Sequence, residues 1–148
     1  MVAFDRSSLS ELFRFGQSAL LQPTAVVARG GELFVAAASS VDQCKAAVSV
    51  FDLEGALRRT MRHTLLCEAR GLAFVRDHLV VAEYDSRGCS ASRRASTRLL
   101  CFTLSGELRQ VLEDASWRSL FGCAVDARGD LHVVDTPALK VRILQPVA

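Results

Sequence analysis

Two stretches of this chain are nearly the same phrase. "VSVFDLEGALRR" at 48–59 and "RLLCFTLSGELRQ" at 98–110 each join an apolar run to a Gly-centred turn and a second, fading run. A repeat constrains a fold more than any single motif, because every copy must solve the same packing problem and bury its apolar face on its neighbours. Upstream of each phrase, and once more downstream, lies a second pattern: "PTAVVARGGELFVAA" from Pro23, "GLAFVRDHLVVAE" from Gly71 and "GCAVDARGDLHVVD" from Gly122. Each alternates apolar and polar residues around a turn, as the two half-buried strands of a hairpin do. Gly30-Gly31 and Arg128-Gly129-Asp130 supply turns where glycine takes positive φ without steric cost, and Arg76-Asp77-His78 stands in the middle copy.

Two hairpins in succession make a four-stranded unit. The N-terminal "VAFDRSSLSELFRFG" reads as the outer half of a further unit, with Phe4-Asp5 where Phe51-Asp52 and Phe102-Thr103 stand. Equivalent positions are then Phe4, Phe51, Phe102 and Ile143, separated by 47, 51 and 41 residues. Four strands in a period of about 40 to 50 residues is what a β-propeller blade needs. The expected organisation is all-β: an incomplete propeller of about three four-stranded antiparallel blades, with a half-blade at 1–16, blades at 22–60 and 69–112, and a partial blade at 120–148. Phe51, Phe102 and Ile143 are expected to be equivalent and buried, and 115–121 is the one stretch where a short helix is allowed for.

The signatures "ELFVAA", "HLVVAE" and "DLHVVD", followed by "VSVFDLEG" and "LLCFTLSG", resemble the NHL repeats of six-bladed, TolB-like propellers over nearly the whole chain. Asp135 keeps that family's acid after the second strand; Ala37 and Glu83 replace it in the other units, and the Asn-His positions are missing. A ring closes with about four to eight blades, so an arc of three is expected either to belong to a longer propeller or to associate with other copies, and Met1 falls inside a unit.

Composition limits the functions available. Half of the 148 residues are apolar, enough for a core. A net charge of +2 over 18 basic and 16 acidic residues gives no global basic face for nucleic acid. No apolar run of membrane-spanning length and no signal-peptide pattern occurs, which reads as a cytoplasmic protein without a membrane partner. The five cysteines form no C-x-x-C pair and no zinc-finger spacing, so reduced thiols are expected, with Cys44 and Cys89 neighbours on one face.

Chemistry-bearing residues are sparse. His63, His78 and His132 fall in a connection, a turn and a strand and assemble no site, and the "RGD" at 128–130 reads as a tight turn. Glu83, Asp85 and Asp135 follow the second strands of their units. They read as caps at the strand ends, and as a metal set only in the alternative that the chain is part of a metal-dependent hydrolase; resemblance to gluconolactonase-type propellers implies axial acids and Asn, and this chain has no Asn. The connection "DSRGCSASRRASTR" at 85–98 carries Arg87, Arg93, Arg94 and Arg98 among hydroxyl residues, so it is expected to be solvated. Ser96, behind Arg93-Arg94, matches a basic-directed phosphorylation pattern, and the arginines offer a second alternative, RNA binding. The reading preferred is a non-catalytic module without a cofactor, engaging a protein partner through the loops of successive blades.

Overall fold

A computed structural model describes residues 1–38, 46–85 and 96–145, apart from the side chains of Ala38, Asp85 and Ser96. Thirteen strands are present among these residues, and no helix. β1 (Val2–Phe4) and β2 (Glu11–Arg14) form a hairpin. Sheet I follows, in the order β3 (Leu21–Arg29), β4 (Glu32–Ala38), β5 (Ala46–Asp52), β6 (Leu57–Met61). Sheet II is β7 (Ala69–Val75), β8 (His78–Asp85), β9 (Ser96–Thr103), β10 (Leu108–Leu112), and sheet III is β11 (Leu120–Val125), β12 (Leu131–Asp135), β13 (Lys140–Leu144). All pairs are antiparallel between sequence neighbours.

The recurring phrase has a physical cause. At the end of the third strand a side-chain oxygen takes the backbone N–H four residues on: Asp52 Oδ1 accepts from Ala56 at 2.7 Å and Thr103 Oγ1 from Glu107 at 3.0 Å. The turn between them puts Gly55 at φ 86° and Gly106 at φ 96°, a left-handed conformation that side chains resist. In the β1–β2 hairpin, Asp5 does the same work for the N–H groups of Ser7 and Ser8.

The core lies between sheets. Phe34, Val48 and Val50 of sheet I meet Leu79, Val81, Leu100 and Phe102 of sheet II, and Phe34 and Phe74 contact edge to face with centroids 5.1 Å apart. Val80, Ala82 and Leu99, on the other face of sheet II, meet Leu120, Leu131 and Val133 of sheet III. Phe15 packs on Val35 and Phe51 and fastens the hairpin to sheet I. Each fully buried Leu or Phe contributes about 1.5–3 kcal/mol, so the three junctions hold the array together.

The innermost strands β3, β7 and β11 run side by side. Thr24 Oγ1 donates across the first of these junctions to the Ala69 carbonyl at 2.6 Å, and the Leu120 N–H reaches Thr97 Oγ1 of sheet II at 3.0 Å. At the rim Arg29 donates to the Arg76 carbonyl and to Asp77, while Arg59, held by Glu32, reaches the Leu104 carbonyl at 3.1 Å.

The expected pairing of inner and second strands is present, with Val26 opposite Val35, Leu72 opposite Val81 and Cys123 opposite Val133. One expectation fails. Phe51 and Phe102 are buried opposite Leu33 and Leu79, but Ile143 lies opposite His132 and is exposed; Leu144, opposite Leu131, holds the equivalent place. The apolar pair Ile143-Leu144 allows either register, and strand pairing selects the second. No helix forms over 115–121, because a turn closed by the Trp117 N–H on the Asp114 carbonyl leads directly into β11, where Leu120 pairs with Asp135.

Candidate functional site

The ends of β8 and β12 place two carboxylates at equivalent points of sheets II and III. Glu83 lies four residues after Leu79, and Asp135 four after Leu131. Both are completely buried. Glu83 Oε1 accepts the N–H groups of Cys67 at 3.3 Å and Glu68 at 3.5 Å, and Oε2 accepts Arg98 Nε at 2.7 Å. Asp135 Oδ1 accepts the N–H groups of Arg118 at 3.2 Å and Ser119 at 3.1 Å, and Oδ2 accepts Arg142 Nη2 at 2.9 Å. Each acid therefore fixes the two residues that lead into the first strand of its own sheet and neutralises one buried or half-buried arginine. Sheet I has Ala37 at this point and lacks the device.

The two acids differ in electrostatics. Burial pushes the Glu83 carboxyl above its ordinary range, against the pull of Arg98 and the Glu68 and Cys67 N–H groups. For Asp135 burial acts in the same direction, but the Ser119 N–H, Arg142 and the Arg118 N–H outweigh it and hold the carboxyl below the ordinary range. Asp126 is similar: burial works upward, and the N–H groups of Asp130 and Arg128 with the His132 ring bring it to about 2. A carboxyl held below its unfolded value of about 3.9 stabilises the fold above that pH, and the contribution vanishes as the pH falls through the folded value. The melting temperature is expected to fall steeply as the pH drops from 4 towards about 2, and Asp126→Asn and Asp135→Asn should flatten that limb; a limb of unchanged slope in both variants would refute the assignment.

Tyr84, next to Glu83 in sequence, and Arg118, whose N–H is held by Asp135, line a cleft of about 500 Å³ together with Thr97, Glu113, Asp114, Ala115 and Trp117. It contains the only tyrosine and the only tryptophan of the chain. Trp117 rests its indole on the core between sheets II and III. Asp114 holds its own turn through the Ser116 N–H at 2.7 Å, and Glu113 lies 3.6 Å from Arg98 Nη1.

The residues singled out from the sequence separate. Arg98 is not on a loop: it lies in β9 opposite Glu83 and is buried against it. Ser96 pairs with Asp85 at the β8–β9 ladder's end. Arg87, Arg93 and Arg94 lie outside the described residues, as do Cys44 and Cys89. Among the described residues no three His, Cys, Asp or Glu side chains gather at metal-binding distances, and no helix is long and apolar enough to cross a membrane. The sequence reading missed the Tyr84–Trp117 cleft and Arg142; the one available signal was that these aromatic residues have no counterparts in the other units.

No protein-family model matches the chain, and no curated protein matches it. Among solved structures it is similar to a chain of a nidogen/laminin complex, with a TM-score of 0.59 and 16% identity over 93% of this chain and 51% of that one. It is also similar to a candidate 6-phosphogluconolactonase from Bacteroides fragilis NCTC 9343, with a TM-score of 0.57 and 18% identity over 90% of this chain and 40% of that one. The chain is an incomplete β-propeller. It spans about half the length of the first propeller and two-fifths of the second. At these identities the likeness shows the fold alone, and the sheets of the present chain do not close into a ring.

Proposed function

We propose that the chain is a non-catalytic protein-interaction module of NHL-like blades that meets a protein partner across the Tyr84–Trp117 cleft. The observation that carries this reading is that the strand-end acids are already spent. Glu83 and Asp135 are fully buried and take donors from their own sheets, so a metal ion there would have to displace an arginine and two backbone N–H groups. The cleft beside them presents Tyr84, Trp117 and Arg118 together, and Tyr, Trp and Arg are the residue types enriched at protein interfaces and their hot spots. Likeness to a chain of a nidogen/laminin complex supports the same reading at the level of fold; likeness to a candidate lactonase supports the rival, a metal-dependent hydrolase.

The two readings part on a simple measurement. A ligand that binds only the native state raises its melting temperature. With millimolar Ca²⁺ or Zn²⁺ the melting temperature is expected to stay unchanged, and proteins retained by the wild-type chain in quantitative affinity purification should be lost with Trp117→Ser. A saturable rise with either metal that disappears in Asp135→Asn would overturn the proposal, as would retention by Trp117→Ser equal to wild type.

A further inference from the structure

The two end faces of the array are built like its internal junctions but lie open. On the side of sheet I that meets sheet II, Val48 and Val50 are fully buried; on the corresponding side of sheet II, so are Ala82 and Leu99. The same positions of sheet III hold Val134, Val141 and Ile143, which are 42%, 59% and 58% exposed. At the other end, the position that buries Phe51 and Phe102 to 1% holds Phe4 at 57%, with Val2 and Leu12 beside it. An exposed apolar face of this kind marks an interaction surface.

We propose that a second copy of this chain seats its β1–β2 hairpin on the open face of sheet III, head to tail. The occupant follows from continuity with the junctions already formed. Each joins a face turned towards the following sheet, such as Phe34, Val48 and Val50 of sheet I, to a face turned towards the preceding one, such as Leu79, Leu100 and Phe102 of sheet II. The chain leaves one of each kind open, so the two faces match each other and neither matches itself. Such a contact is heterologous and ends either in a closed ring or in an open polymer. Two copies bring six sheets and two hairpins, which falls within the range of about four to eight blades at which propellers close, so a closed pair is the form expected.

Sedimentation velocity on the full chain from low to high micromolar tests this, with Phe4→Asp blocking one face and Ile143→Lys the other. Wild type is expected at twice the chain mass, each variant at the chain mass, and an equimolar mixture of the two variants again at twice the chain mass, because the mixture restores one junction from the two intact faces. A wild-type monomer at all concentrations, a variant that still pairs, a mixture that stays monomeric or a wild-type series growing without limit would each overturn the proposal. Both positions are exposed, so folding should survive; Phe4→Ser and Ile143→Ser are a second pair read by the same complementation.

Discussion

Replacing Arg98 by methionine is expected to cost the fold about 3–5 kcal/mol, measured by urea denaturation at pH 7. Methionine fills much of the same volume, so the loss is electrostatic: the Glu83 carboxylate, with no exposed surface, keeps the two long N–H contacts from Cys67 and Glu68 and loses its 2.7 Å partner. Adding Glu83→Gln should recover most of the loss, since the amide oxygen still accepts from the loop and no buried charge remains; removing both charges of a buried pair is often neutral where removing one is not. The pH dependence separates this from a packing defect. Burial already holds the Glu83 carboxyl above its unfolded value of about 4.3 with Arg98 present, and without Arg98 it must rise further. A carboxyl raised in the folded state destabilises above its folded pKa and ceases to do so as the pH falls to the unfolded value. The single variant should therefore gain stability relative to wild type as the pH drops from 7 to about 5, and the double variant should not. A deficit independent of pH would show that Arg98 acts by packing alone.

How far the sequence reached is visible in particular residues. Strands and turns were legible because their causes are local: Asp52 and Thr103 each cap a turn four residues long, and Gly55 and Gly106 sit where φ is positive. The register of sheet III was not, because Ile143 and Leu144 are adjacent, both apolar, and face opposite sides; only pairing with Leu131 decides between them. Arg98 was misplaced for a related reason. It ends a run of Ser and Arg that looks solvated, and the partner that buries it, Glu83, lies on the neighbouring strand across a long connection. The Tyr84–Trp117 cleft unites strands β8 and β9 with the connection that leads from sheet II to sheet III, and no spacing rule within a unit can announce it. What the repeat could not supply, in each case, was a contact between one element and another.

Gly71→Ala is expected to destabilise by about 3 kcal/mol or more, the upper end for overpacking, and Gly122→Ala by less than about 0.5 kcal/mol, as at an unencumbered surface position. The two glycines occupy the same place in their units, two residues into the first strand, after Ala69 and Leu120. They differ in what stands opposite. A Cβ on Gly71 would lie 2.2 Å from the Phe121 carbonyl oxygen and 3.0 Å from the Cys123 nitrogen, both backbone atoms of β11, whereas one on Gly122 would meet nothing within 4 Å. No rotamer change relieves a clash with backbone, so β7 and β11 would have to separate and loosen the Leu120, Leu131 and Val133 contacts with Ala73, Val80 and Leu99. Because φ is not positive at either glycine, alanine is conformationally acceptable at both, and the difference between the variants isolates the close approach of the inner strands. Chemical denaturation of the pair decides it. Equal stability of the two variants would mean that β7 and β11 do not meet as described, and with them the packing that sets sheet II against sheet III.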